Sequence, residues 1–122
     1  MKKILIIEDN MELRENTAEY LSLSNFDTIT ADNGQSGIDL AISDHPDLII
    51  SDINMPEMDG YAVLKALRNN ESAKKIPFIF LTVRPERHSK EETGADVYIT
   101  KPIDVEELLR IITGKLDVQN AA

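Results

Sequence analysis

The sequence predicts an α/β fold built on a parallel sheet, on three observations. Short aliphatic runs alternate with longer amphipathic segments, the sequence form of repeated βα units. The runs are near-continuously apolar rather than alternating, as expected where helices cover both faces of a sheet. With 122 residues the chain is a little shorter than a typical domain of about 150, so its five βα units must share one domain.

Lys3 to Ile7 is the first strand, and Asn10 caps a helix whose apolar stripe is Leu13, Thr17, Tyr20 and Leu21. Thr28 to Ala31 is a weaker strand suited to a sheet edge, and Asn33 caps a helix to about Ser43 with Gly37, Leu40 and Ala41 inward. Asp47 to Ser51, with Leu48-Ile49-Ile50 at its heart, is a buried strand ending at Asp52. After a loop from Ile53 to Asp59, Asp59 caps a helix carrying Val63, Leu64 and Leu67 that ends at Asn69-Asn70. Pro77 to Leu81 and Val97 to Ile99 are the fourth and fifth strands. Asp104 and Glu107 form a capping box for a last helix with Val105, Leu108, Leu109, Ile112 and Leu116 inward. The domain is expected to span residues 1–116, with 117–122 a fraying polar tail. Between the fourth and fifth strands, Arg84 to Gly94 has no aliphatic or aromatic residue to dock, so any helix there is expected to be short or mobile.

Composition narrows the function. The 13 basic and 22 acidic residues leave a net charge of −9, which argues against direct nucleic-acid binding and suits cations. Without cysteine there are no disulfides, thiolate metal sites or thiol nucleophiles. Ile4-Leu5-Ile6-Ile7 is too short for a signal peptide or a membrane span, so the expectation is a cytoplasmic protein without membrane insertion.

Ligands of doubly wound sheets sit beyond the carboxyl ends of the strands. Those ends read Glu8-Asp9, Asp52, Thr82 and Lys101-Pro102. Singly, an acid there is a helix cap or a solvated carboxylate, Thr82 a β-branched strand terminator, and Lys101 a lysine snorkelling toward the acids. Pro102 either ends the strand or holds a cis bond. Together the acids repel, and a cation is needed to neutralise them. All-oxygen donors favour Mg²⁺. His45 and His88, in polar segments, are expected at the surface, as is the charge run from Glu86 to Glu92.

In these residues the chain resembles a two-component response-regulator receiver domain, from Met1 to about Leu116. The motifs are Ile-Ile-Glu8-Asp9; Asp47-Leu-Ile-Ile-Ser-Asp52-Ile-Asn-Met-Pro56 with Met58-Asp59-Gly60; Phe80-Leu81-Thr82; Gly94-Ala95-Asp96; and Tyr98-Ile-Thr-Lys101-Pro102. The resemblance implies a flavodoxin-like sheet of order 2-1-3-4-5. It implies that Asp52 accepts a phosphoryl group from a sensor histidine kinase or histidine phosphotransfer protein, and that the domain signals to a downstream effector. Asp9, Asp52 and the Asn54 carbonyl would bind Mg²⁺, with Glu8 acting directly or through water. Lys101 and Thr82 would contact phosphoryl oxygens, and Tyr98 holds the position of the family's switch aromatic. Met55-Pro56 and Asp59-Gly60 would shape the loop after Asp52, with Gly60 admitting close packing. The implied molecule is a switch that catalyses its own phosphorylation and dephosphorylation, not an enzyme with a separate metabolite.

The chain departs from the family in a stretch from Thr82 to Lys101 about one helical turn shorter than usual. Val83 replaces a commonly smaller residue, Ile103 stands where many members carry Phe, and Asn54 and Arg84 hold positions that tune acyl-phosphate lifetime. Three rivals fit less well. A phosphatase with an aspartyl nucleophile needs a second aspartate where Asn54 stands. A phosphorylation-independent interaction module would be expected to have lost an acid, the threonine or the lysine. A nucleotide-binding protein would carry a glycine-rich loop after its first strand.

Overall fold

The computed structural model describes residues 1–82, 95, 97–102 and 104–120, with side chains as far as Leu116. Five strands, β1 (Lys3–Ile7), β2 (Asp27–Ala31), β3 (Leu48–Asp52), β4 (Phe78–Thr82) and β5 (Val97–Thr100), form one sheet of order β2-β1-β3-β4-β5. Every pairing is parallel. Four helices are present among the described residues: α1 (Met11–Leu23), α2 (Gly34–Asp44), α3 (Gly60–Arg68) and α4 (Val105–Asn120). None is long and apolar enough to cross a membrane.

The sheet is doubly wound because its strands bury both faces. On one face Leu5, Ile7, Ile49, Phe78 and Phe80 meet Ile38 and Ala41 of α2 and Val63, Leu64 and Leu67 of α3. On the other, Ile4, Ile6, Leu48, Ile50, Ile79 and Leu81 meet Leu21 of α1 and Leu108, Ile112 and Leu116 of α4. Neighbours along each strand therefore serve opposite cores, which is why the runs read as continuously apolar.

Helix starts follow the caps read from the sequence. Asn10 Oδ1 accepts from the Leu13 amide, Asn33 Oδ1 from Ser36 and Asp59 Oδ1 from Ala62, each at 2.9 Å. Asp104 Oδ1 accepts from the amides of Glu106 and Glu107. These bonds satisfy amides that have no partner within their own helix.

Several boundaries differ from the expectation. Asp47 lies outside β3, its carboxylate accepting from the Lys3 amide at 2.8 Å, while the strand ends at Asp52 as expected. β2 begins one residue earlier, β4 runs from Phe78 to Thr82, and β5 extends to Thr100. The α4 backbone stays helical to Asn120, past the expected end of the domain. Val105, expected inward, is 40% exposed, lining an open groove with Leu13 and Tyr20 of α1. Leu13 and Tyr20 are half-buried, leaving Thr17 and Leu21 as the buried stripe of α1. The segment from Arg84 to Gly94 lies outside the described residues, as do Val83, Asp96 and Ile103.

Gly60 fixes where α3 starts. A Cβ there would overlap the Asp52 carbonyl oxygen and stand 2.8 Å from Phe80 Cε1 and 2.9 Å from Ile53 Cα. Its amide donates to the Ile53 carbonyl at 2.8 Å, so the close approach is bonded as well as crowded. Gly114 in α4 has nothing within 4 Å of its missing Cβ. Gly60→Ala is therefore expected to lower stability by about 1–3 kcal/mol through overpacking. Gly114→Ala is expected to raise it by up to about 1 kcal/mol through helix propensity. Urea denaturation of both variants beside the parent, read as a shift in midpoint at unchanged slope, checks the pair.

Candidate functional site

Register brings the chemistry together at one edge. Ile7 pairs with Ser51, Asp52 with Leu81 and Thr82 with Thr100, so the residues ending these strands emerge side by side. The Lys101 amide donates to the Thr82 carbonyl at 2.7 Å, carrying the ladder one step beyond β5. The sharp turn from β1 into α1 sets Glu8 inward, with 4% of its surface exposed, and leaves Asp9 in solvent.

Carboxylate oxygens of Glu8, Asp9 and Asp52 all lie within 4.8 Å of one another. A hard divalent cation with metal–oxygen distances of about 2.1 Å sets opposed oxygens about 4.2 Å apart, so this trio fits around one ion with small side-chain movements. A cation is already close. Lys101 Nζ donates to Glu8 Oε1 at 2.9 Å and lies 3.6 Å from Asp52 Oδ1. The expected snorkelling contact is thus present, with both side chains of the Lys101–Glu8 pair largely buried.

Burial pushes the Glu8 carboxyl above its usual 4.5, and the nearby Asp52 charge adds to the rise. The bonds from Lys101 to Glu8 Oε1 and from the Asn10 amide to Oε2 work in the opposite direction without cancelling it. Asp52 Oδ1 accepts from the Ile53 amide at 2.8 Å, which holds one carboxylate oxygen.

Thr82 is buried at the end of β4. Asn54 is exposed, two residues past Asp52, in the loop that Gly60 draws back toward the sheet. Tyr98 on β5 is half-buried opposite Phe80, their ring centroids 5.2 Å apart. The Lys101–Pro102 bond is cis, one of the two alternatives left open by the sequence. His45 is at the surface as expected, whereas His88 lies outside the described residues. Beside Lys101 and Pro102, a groove of about 360 Å³ runs between α1 and α4, lined by Leu13, Tyr20, Val105 and Leu108 among others.

Sequence reasoning missed Arg14. Its Nη1 donates to the Glu8 carbonyl at 2.9 Å. The only signal for it was a cation on the first turns of the helix that follows the paired acids.

A doubly wound sheet with paired acids after β1, an aspartate ending β3 and a lysine after β5 defines a recognisable class. The model of the response regulator receiver domain family matches residues 4–113, and the chain belongs to that family. DivK, the polar-differentiation response regulator of Brucella ovis, is 34% identical over 118 residues, covering 94% of this chain and 96% of DivK. AtoC, a regulatory protein of Escherichia coli, is 35% identical over 98% of this chain, and the match spans 26% of AtoC. RpaA, a DNA-binding transcriptional regulator of Synechocystis, is 38% identical over 89% of this chain and 46% of its own length. The chain therefore spans about a quarter to a half of several longer relatives.

Solved structures agree. The receiver domain of a histidine kinase from Syntrophus aciditrophicus superposes with a TM-score of 0.91 at 33% identity, covering 100% of this chain and 95% of that one. The Vibrio cholerae chemotaxis protein CheY4 gives 0.87 at 29% identity, over 93% of this chain and 97% of its own. A receiver domain from Pseudomonas aeruginosa, solved with a magnesium ion in its active-site cleft, gives 0.88 at 25% identity, over 95% and 98%.

The raised Glu8 carboxyl fixes a pH dependence of the metal-free protein. Below pH 4.5 its neutral form contributes fully to stability; as pH rises, the unfolded chain ionises first and the contribution is lost through the folded-state value. In EDTA, the stability difference between Glu8→Gln and the parent is expected to shift in favour of the variant across that window. Thermal melts at a series of pH values measure it, and a constant difference would contradict the raised carboxyl.

Proposed function

We propose that this domain accepts a phosphoryl group on Asp52 from the phosphohistidine of a sensor kinase or phosphotransfer protein, and that the modification switches a surface read by a downstream effector. The observation that carries the reading is the convergence of Asp52 with Glu8, Asp9 and Lys101 at the mouth of the sheet. In the step, an Asp52 carboxylate oxygen forms a bond to phosphorus as the donor's N–P bond breaks, and the departing imidazole keeps the electron pair and takes a proton. The Ile53 amide, bonded to Asp52 Oδ1, orients this carboxylate within the cluster it forms with Glu8 and Asp9.

The side chains of Asp9 and Asp52 and the Asn54 carbonyl would hold Mg²⁺, with Glu8 bound directly or through water. When bound, the ion neutralises charge on the transferring phosphoryl oxygens. Lys101 exchanges its Glu8 carboxylate for a phosphoryl oxygen, and the Thr82 hydroxyl donates to another. Tyr98 then moves inward against Phe80, changing the β5 surface. The apolar groove beside Lys101 gives a donor protein a face to hold while its histidine reaches Asp52. The domain would work in the cytoplasm as a switch that catalyses its own modification and its reversal.

Intact-mass spectrometry after incubation with Mg²⁺ and acetyl phosphate tests the reading. A single phosphoryl adduct is expected, absent in Asp52→Asn and in EDTA, and forming about 100-fold more slowly in Lys101→Ala. An adduct surviving in Asp52→Asn would overturn the assignment of the acceptor. Failure of the parent with Mg²⁺ bound, repeated with a phosphohistidine donor, would overturn the reading in favour of a phosphorylation-independent interaction module.

A further inference from the structure

Glu8 and Asn10, the residues on either side of Asp9, are each bonded at both backbone amide and carbonyl. The Glu8 amide donates to the Ala31 carbonyl at 3.0 Å, and the Glu8 carbonyl accepts from Arg14 Nη1 at 2.9 Å. The Asn10 amide donates to Glu8 Oε2 at 3.2 Å, and the Asn10 carbonyl accepts the Arg14 amide at 2.9 Å. Arg14 is thus fastened to both residues that flank Asp9, through its amide on one side and its guanidinium on the other. Asp9 itself is exposed, so the packing of a core does not place its carboxylate.

Charge alone gives Arg14 the opposite role. A guanidinium bonded to the Glu8 carbonyl stands beside the acids and repels a second cation arriving there. A side chain of that charge in that place lowers cation affinity unless its bond does something the charge does not.

We infer that Arg14 is a positioning residue for the cation site: its bond to the Glu8 carbonyl fixes the turn that presents Glu8 and Asp9, and this outweighs its own repulsion of the ion. The inference rests on the proposed Mg²⁺ site and adds to it a residue that does not touch the ion. Groups behind metal ligands commonly change affinity by about 10- to 100-fold when removed.

The two roles predict opposite signs. Isothermal titration of the full chain with MgCl2 is run on the parent, Arg14→Met and Arg14→Lys, with Asp9→Asn as the control that removes a carboxylate. Arg14→Met, which keeps the length and loses charge and donor, is expected to bind Mg²⁺ about tenfold more weakly. Arg14→Lys, which restores a donor of similar reach, is expected to recover most of the loss. Tighter or unchanged binding by Arg14→Met would overturn the inference, as would Arg14→Lys behaving like Arg14→Met. Circular dichroism and urea midpoints in EDTA establish that each variant is folded; Arg14 is only half-buried, and Arg14→Ala takes the place of Arg14→Met should that variant not fold. A parent that binds no Mg²⁺ would overturn the cation reading itself, and the inference with it. A parent whose binding is lost in Asp9→Asn but strengthened in Arg14→Met leaves the reading standing and removes only the role of Arg14.

Discussion

Three carboxylates held within 4.8 Å of one another at a partly buried edge repel, and the surrounding structure is organised to bear that repulsion. Glu8 is raised chiefly because burial removes the water that would stabilise its charge, with the Asp52 charge adding a smaller push. The relief comes from Lys101, 93 residues further along the chain. That contact joins the turn after β1 to the end of β5, strands separated in the sheet by β3 and β4. Removing one partner of such a pair leaves the other charge poorly solvated, so the pair ties the geometry of the site to the integrity of the sheet.

The sheet order makes the convergence possible. With β1 between β2 and β3, the connections after β1 and β3 leave toward opposite faces, and a crevice opens between their ends. Glu8 and Asp9 enter it from one side and Asp52 from the other. Gly60 completes the arrangement by letting α3 begin directly against the Asp52 backbone. A larger residue there would displace the helix or the strand end, and with it the carboxylate.

What the sequence made legible follows from which constraints act through residue type. Strands buried on both faces must be aliphatic, so all five could be located and only their ends moved by a residue or so. Caps need short oxygen-bearing side chains, so Asn10, Asn33, Asp59 and Asp104 could be read directly. Val105 differs from expectation because helical periodicity says which side of a helix a residue occupies and not whether the space there is filled, and here it lines an open groove. Arg14 went unread because its partner is a backbone carbonyl, a group every residue carries. The side chains gathering at the site were foreseeable from the strand ends; the pinned turn that holds two of them was not.

The aromatic residues show where the structure has freedom. Phe80 is hemmed in by Tyr61, Phe78 and Tyr98, with ring centroids 5.3, 5.1 and 5.2 Å away, and by the bare Cα of Gly60. It lies two residues before Thr82 on β4, so the two side chains share a face, and any shift of the strand end is felt by this cluster. Phe78 and Phe80 are fully buried and cannot move without opening a cavity. Tyr98 is different: it is half-buried and sits on β5, an edge strand held by a single ladder. Among the described residues around Phe80, Tyr98 and the likewise half-buried Tyr61 can therefore shift without opening a cavity in the core, whereas Phe78 cannot.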